Sequence, residues 1–409
     1  MHILFLTDNF PPEVNAPASR TYEHCLEWVK KGHKVTIITC APNFPEGKLF
    51  EGYKHKLYQT EKMDGIDVIR VWSYITANEG IMKRTLDYLS FMFMAIPASF
   101  SVRKVDIVIG TSPQFFTVCG AYAVSKLKRK PFVFELRDLW PESIKAVGVV
   151  SDSVLIRLFE RLELFLYKKA NTIVSVTNSF RRTLISRGVE EEKIQVVTNG
   201  VDLSRFCPKE KDIALVKKYN LEGKFVAGYI GTHGMAHALN TLLQAAEILK
   251  TNDDGDRFRI ILLGSGAEKS KLKKIAEEKK LDNVIFIDTV PKSEVARYWS
   301  LLDVSIIHLR KTKLFETVIP SKLFECMGMG IPVLHGVYGE SAEIVEKENV
   351  GVVFEPENPK DLCSKLIDIE SNSEIYNIYR ENAVSSAKIY DRKELADKML
   401  KILEGYIEQ

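Results

Sequence analysis

Short, continuously apolar runs rich in β-branched residues alternate along the chain with longer stretches of helical period. His2–Leu6, Lys34–Thr39, Asp67–Val71, Asp106–Gly110, Pro131–Leu136, Thr172–Val176 and Ile194–Val197 read as strands. Most lack an apolar–polar alternation, as strands covered on both faces do. Tyr22–Lys31 and Ser153–Lys169 read as helices between them. The pattern then restarts with strands at Phe225–Ile230, Phe258–Leu263, Val284–Ile287, Val304–His308 and Ile331–His335. Its intervening helices are Leu239–Lys250, Lys269–Lys279 and Ser293–Leu301. Such alternation predicts parallel sheets with helices on both faces. Between the two series, Asn199–Lys224 carries the Asn199-Gly200 turn signal, Pro208 and a run of charges, and is the best linker candidate. The expectation is two doubly wound α/β domains, 1–203 and 204–385, with a closing helix in 386–409 packed back on the first. Ligands of this architecture bind at the carboxyl edges of the strands, so a cleft between two such edges is the expected site.

Composition narrows the class. The 409 residues are 45% hydrophobic and 27% charged, which excludes disorder and coiled coil as whole-chain descriptions. A net charge of +3 is too even for a dedicated nucleic-acid binder. The balance is uneven, however: residues 1–203 carry about +5 and the remainder about −2, a weak basic bias that suits an anionic membrane surface. The six cysteines are scattered without a C-x-x-C pair, so neither a zinc site nor a disulfide framework is expected. Met1-His2 leads directly into ILFLT, with no basic n-region or cleavage site, so no signal peptide is expected. The longest apolar run, Leu89–Phe100, is interrupted by Pro97 and is too short to span a bilayer.

Several loops at predicted strand ends carry candidate chemistry. The first is Asp8–Arg20, with Pro11-Pro12 and small residues opening a helix: either a rigid turn or a helix N-terminus offering N–H groups to an anion. It holds no G-x-G-x-x-G, which disfavours a dinucleotide cofactor. The matching loop of the second half is Gly231-Thr232-His233-Gly234-Met235, where two glycines permit close approach of a ligand or a plain turn. Gly264-Ser265-Gly266 ends the next strand. The most informative stretch runs from Arg310 to Glu325. Arg310, Lys311 and Lys313 follow a buried strand, and Pro320-Ser321 then opens a helix with Lys322 in its first turn. Backbone N–H groups, helix dipole and lysine converge there, a combination suited to a diphosphate, though cations on an ordinary surface would look alike. Glu325 lies one turn on, where a carboxylate accepts both hydroxyls of a ribose diol.

These segments resemble the glycosyltransferases of family 4, retaining enzymes of GT-B fold. The likeness rests on PPEVNAPASR, KGHKVTIIT, VVTNGVDLSRFCP, LLGSGAEKSKL and, most specifically, PSKLFECMGMGIPVL at 320–334, in order along nearly the whole chain. FPPEVNAPASR, ELRDLWPESI and PSKLFE are most similar to the O-antigen and capsule transferases, including the N-acetyl-L-fucosamine transferases. The resemblance implies transfer of an N-acetylated amino sugar from a UDP-sugar to a polyprenyl-linked saccharide, with retention, no metal and no cofactor. It implies an enzyme of the cytoplasmic membrane face. It places the donor in the second domain: Glu325 on the ribose, Ser321, Lys322 and Leu323 on the diphosphate, Val290 by the uracil, and Gly264 and Ser265 along the same wall. Thr232, His233, Gly234 and Arg310 complete the donor set. Glu316 would touch the donor sugar and, with Asp138, is a catalytic candidate. The acceptor falls to the first domain, with Asn15, Arg20 and Arg137 as candidates.

Three departures stand out. Eight residues separate Glu316 from Glu325 where the family has seven. The 232–237 loop lacks the usual Arg and Lys, a loss that Arg310, Lys311, Lys313 and Lys322 would make good. Where the family often has a histidine, Leu136-Arg137-Asp138 stands instead; Arg137 and Asp138 are either site groups or an internal salt bridge. The aromatic, Met-rich stretch 81–94 is either a buried helix or one that dips into a bilayer surface. Two competing functions remain: a UDP-sugar 2-epimerase of the same fold, and a non-catalytic two-lobed sugar-binding protein, against which the missing signal peptide speaks.

Overall fold

The computed structural model describes residues 1–44, 46–76, 81–139, 154–251 and 255–407. Trp140–Ile144 of the ELRDLWPESI segment therefore lie outside the described residues. The chain divides into unit 1, Met1–Asn199 with Arg392–Gln409, and unit 2, Gly200–Asp391. The chain crosses between units at Asn199 and Asp391, against the expected 203 and 385. Val201 bridges Asp391 in parallel and its amide donates to Tyr390 O, so the segments just inside both crossings belong to unit 2.

Unit 1 is an eight-stranded sheet of order β3-β4-β2-β1-β5-β6-β7-β8. Its strands are β1 His2–Leu6, β2 Lys34–Cys40, β3 Tyr58–Met63, β4 Ile66–Val71, β5 Ile107–Thr111, β6 Phe132–Leu136, β7 Thr172–Ser175 and β8 Ile194–Val196. All pairs are parallel except β3–β4. β3 escaped the sequence reading because an edge strand needs no apolar run: YQTEKM is polar and no residue in it is buried. α1 (Ala16–Lys30) starts earlier than its periodicity suggests, because Asn15 caps it by accepting from Ala18 N and Pro17 sits in its first turn. With the closing helix Arg392–Glu404, α1 covers one face of the sheet: Trp28 is fully buried and its indole donates to Ala396 O at 2.9 Å. α2 (Ile81–Ala98), α3 (Phe115–Lys128) and the helix Val154–Lys169 cover the other.

Unit 2 is a six-stranded parallel sheet of order β11-β10-β9-β12-β13-β14. Its strands are β9 Phe225–Ile230, β10 Phe258–Leu263, β11 Val284–Ile287, β12 Val304–His308, β13 Val333–Gly336 and β14 Gly351–Val353. Apolar clusters fill both faces. In each sheet the chain leaves a central strand in one direction and resumes on its other side: between β1 and β5 in unit 1, and between β9 and β12 in unit 2. These are the switch points at whose carboxyl edges such sheets bind ligands.

Candidate active site

Every donor-binding candidate lies at the carboxyl edge of the unit 2 sheet. Thr232, His233 and Gly234 follow β9, Gly264 and Ser265 follow β10, Val290 follows β11, and Arg310 follows β12. Ser321, Lys322, Leu323 and Glu325 open the helix Lys322–Met329. Gly231 has φ +148, and a Cβ there would run into the end of the Lys322 side chain. The loops after β9 and β10 are locked together: His233 N donates to Ser265 O at 2.8 Å, and Glu268 N donates to His233 O at 2.9 Å. Gly264, at φ +141, sits so close to the Gly231 carbonyl that no side chain fits. Gly234 needs no such freedom. Its φ is −106 and a Cβ there would meet only ordinary contacts, so of the two loop glycines only Gly231 is required by close approach.

Lys322 is the centre of this arrangement. Its Nζ lies 3.8 Å from the Tyr229 ring centroid, a cation–π contact. Among the described residues the ammonium makes no hydrogen bond or ion pair. Burial pushes its pKa down to about 7, opposed by the Glu325 carboxylate. His233 is fully buried, and among the described residues neither of its ring nitrogens nor His237 Nδ1 has a hydrogen-bond partner. Both are pushed down to about 4, by burial first and by Lys322 among the neighbouring charges, so both imidazoles are neutral at pH 7. A lysine in no direct ion pair among the described residues, backed by neutral imidazoles, is a site for an anion.

The other cations divide. Lys311 is engaged by Glu355 at 2.7 Å and does not replace the missing loop charge. Arg310 anchors the β9 loop through its backbone amide, which donates to Ala236 O at 2.9 Å, while its exposed side chain makes no ion pair among the described residues. The amides at the helix start also divide. Leu323 N donates to Pro320 O at 3.0 Å and its side chain is buried, so it offers nothing to a ligand. The amides of Ser321 and Lys322 have no acceptor among the described residues, and the Ser321 hydroxyl does not cap the helix. Glu325 is half-buried in the first turn. Glu316 is exposed in the 3-10 turn Phe315–Thr317, its backbone pressed against Gly339, and residues 318–320 take up the longer spacing before the helix.

Two residues of this region were missed. Tyr229 is the platform under Lys322, and its hydroxyl donates to Thr232 O at 2.8 Å. Its only signal was a hydroxyl-bearing ring just before a strand-end glycine. Lys269 is buried and donates to Gly264 O (2.5 Å), Ile287 O (3.0 Å) and Asp288 Oδ1 (2.7 Å), tying the ends of β10 and β11 together. Nothing in a helix of many lysines marked this one.

In unit 1 the acceptor candidates separate in role. Arg20 is 4% exposed and fully engaged: Nε donates to Glu135 at 3.0 Å, Nη1 to Thr198 O at 2.6 Å and Nη2 to Val197 O at 3.0 Å. It is an internal brace, because all three nitrogens of its buried guanidinium are engaged within the unit. Arg137 makes no salt bridge with Asp138 among the described residues. Its Nη1 is shut off from solvent without a partner among the described residues, and burial pushes its pKa down to about 10. The amides of Arg137 and Asp138 both reach Ser112 Oγ, at 2.8 and 3.3 Å. Asn15 lines a cavity at the β1 loop. Among the described residues no group of three or more His, Cys, Asp or Glu side chains is placed to hold a metal ion.

Residues 18–205 match the Glycosyltransferase Family 4 domain and residues 212–386 the domain described as Glycosyl transferases group 1. The two segments take in most of the chain, and it belongs to the glycosyltransferases of GT-B fold. Among its relatives, the putative colanic acid biosynthesis glycosyl transferase WcaI of Escherichia coli is 26% identical over 90% of this chain and 91% of its own. The probable glycosyltransferase WbjE of Pseudomonas aeruginosa is 23% identical over 69% and 70%. Anabaena HepE, solved with UDP-glucose, has the same fold, with TM-score 0.72 and 15% identity over 99% of this chain and all of its own.

Proposed function

We propose that the protein transfers a sugar, an N-acetylated amino sugar by its sequence resemblance, from a UDP-sugar to a lipid-linked saccharide in surface-polysaccharide assembly. The observation that carries this reading is the Lys322 ammonium beside Gly231, in no direct ion pair among the described residues, together with the amides of Ser321 and Lys322, which have no acceptor there. UDP leaves as a diphosphate, so the transition state gathers charge on phosphate oxygens. Preorganised donors and a cation placed there lower the barrier without any metal. HepE was solved with UDP and with UDP-glucose, which supports the donor class, and WcaI is named for glycosyl transfer in colanic acid biosynthesis, which supports the pathway. Retention rests on the family resemblance alone. The test is a panel of UDP-sugars with a polyprenyl-diphosphate-linked saccharide, following UDP release and product mass. Epimerised UDP-sugar without acceptor would favour the 2-epimerase, and binding without turnover a carrier. In the same assay Glu325→Ala should weaken UDP by about 2–4 kcal/mol, the worth of two hydrogen bonds to a charged group. Unchanged calorimetric affinity in the folded variant would remove Glu325 from the ribose.

We further place the enzyme at a membrane surface. Among the described residues no helix is long and apolar enough to cross a membrane. Met82, Leu86, Phe93 and Pro97 recur at helical spacing on α2, followed by Phe100, and all are exposed, Met82 at 82% and Phe93 at 64%. Exposed Lys83, Arg103 and Lys104 flank this stripe. Phe91, by contrast, is fully buried in the core and has no part in it. The chain should sediment with phosphatidylethanolamine–phosphatidylglycerol vesicles at low salt and be released at high salt, each cation adding about 1 kcal/mol. Leu86→Ser with Phe93→Ser should reduce sedimentation several-fold while leaving activity on a short soluble acceptor. Unchanged sedimentation of the folded double variant would dismiss the membrane role.

A further inference from the structure

Three successive amides at the exit of β12 reach three different neighbours. Leu309 N donates to Gly336 O at the end of β13 (3.3 Å), Arg310 N to Ala236 O in the loop after β9 (2.9 Å), and Lys311 N to Glu357 Oε2 beyond β14 (2.9 Å). The first two acceptors are backbone carbonyls, and the third is a side chain. The turn that holds it is closed by Asn358 N, which donates to Glu355 O at 3.1 Å, with Pro356 second and Glu357 third. Glu357 has φ +63. With proline second, a left-handed third residue is the type II pattern, which favours glycine and strains any L side chain.

Arg129, Asn220, Lys280 and Asn349 are also left-handed, but each stands within two residues of a helix end, where such a residue closes the helix. Glu357 closes no helix. Its amide donates to His308 Nε2 at 2.9 Å. An amide only donates, so Nε2 is the bare nitrogen and Nδ1 carries the proton, which goes to His237 O at 2.8 Å. The ring is 1% exposed and stacks on Phe354, with centroids 5.7 Å apart. Through this buried ring and its own carboxylate, Glu357 joins the loop after β9, the exit of β12 and the turn after β14. The turn takes a second hold through Glu355, whose Oε1 pairs with Lys311 Nζ. Pro356 is buried and shares a small crevice with Arg310, Glu316 and Tyr338. A glycine at 357 would relieve the backbone and keep the His308 contact. What the glutamate alone supplies is the acceptor for Lys311 N, and strain kept at such a point marks a role in the site beside it.

We propose that Glu357 is a positioning residue for sugar transfer: set by His308, its carboxylate clasps Lys311 N and fixes the 310–317 loop that presents Arg310 and Glu316 to the donor. The role in transfer rests on the UDP-sugar reading above, and the clasp itself does not. The test compares three variants of the full chain. Glu357→Gln keeps an oxygen for Lys311 N, while Glu357→Gly and Glu357→Ala do not. Hydrogen exchange of the 310–317 segment, read by mass spectrometry, should quicken about three-fold or more in the Gly and Ala variants and stay at the wild-type rate in Glu357→Gln. UDP release from UDP-glucose, UDP-N-acetylglucosamine or UDP-N-acetylgalactosamine, with a polyprenyl-diphosphate-linked saccharide as acceptor, should give a kcat about five-fold or more lower in both Gly and Ala variants and restored in Glu357→Gln. UDP affinity by calorimetry should stay at the wild-type value in all three. The melting temperature should separate the two deficient variants: glycine accepts this φ and alanine does not, so Glu357→Gly should melt about 2 °C or more above Glu357→Ala. Turnover then follows the acceptor while stability follows the backbone. Turnover that instead tracks melting temperature, with Glu357→Gly clearly more active than Glu357→Ala, would make Glu357 a structural part only and overturn the proposal. So would wild-type exchange of the segment in Glu357→Gly. Quickened exchange, with no turnover of any of the three UDP-sugars by the wild type, would leave the clasp standing and remove its role in transfer together with the UDP-sugar reading.

Discussion

Arg20→Met should destabilise unit 1 by about 3–5 kcal/mol, the cost of leaving a buried partner charge uncompensated. Glu135 is 1% exposed and Arg20 is its ion-pair partner, at 3.0 Å. Among the described residues one Glu135 oxygen already lacks a partner, so no second donor there stands ready to replace the guanidinium. The Val197 and Thr198 carbonyls beyond the end of β8 would lose their donors at the same time. Urea unfolding followed by Trp28 fluorescence reads unit 1 through a buried indole. Arg20→Met with Glu135→Met should recover much of the loss, because an apolar pair of similar volume leaves no stranded charge. UDP affinity, which our proposal assigns to unit 2, should not move in the folded fraction. Unchanged stability with a raised acceptor KM would return Arg20 to the acceptor site.

Arg20 also marks where sequence stops being informative. A lone arginine in a loop of prolines and small residues reads as a ligand group, because nothing local shows that Glu135 shares its pocket. The β-strands were legible because strands buried on both faces must be nearly continuously apolar, and β9, Ile3–Leu6 of β1 and Ile260–Leu263 of β10 are. β3 pairs along one edge only and was free to be polar. Within α2 the period places Phe91 and Phe93 on different sides, but only packing decides which side meets the sheet; Phe91 is buried and Phe93 exposed. The cations after β12 show the same limit. Arg310, Lys311 and Lys313 are equivalent in the sequence until Glu355, brought near from beyond β14, engages Lys311. Lys322 was legible because its place in a first helical turn sets it against the helix dipole, a conflict that an anion relieves.

Lys322→Ala should weaken UDP by about 10- to 100-fold, the worth of one charge-assisted hydrogen bond to phosphate. Uridine, which carries no diphosphate, should lose almost nothing, and Arg310→Ala should show the same selectivity at smaller size because its side chain is exposed. The pH dependence follows from the depressed lysine. Its pKa in the folded chain is about 7, below the ordinary 10.5, so between these values the unfolded chain binds more protons and this group makes stability rise with pH. UDP reverses that preference, since a diphosphate beside the ammonium favours the charged form. Binding above pH 7 therefore takes up a proton, and affinity should fall about twentyfold between pH 7.5 and 9. Below pH 7 Lys322 is already charged and contributes no further gain. His233 and His237, at about 4, stay neutral across this window and add no proton of their own. Calorimetry in two buffers of different ionisation enthalpy gives the proton uptake directly, close to one per UDP at pH 8.5 in the wild type and near zero in Lys322→Ala. Equal losses for UDP and uridine would make Lys322 a prop for the Gly231 turn, and an affinity flat with pH would show that its charge does not answer the diphosphate.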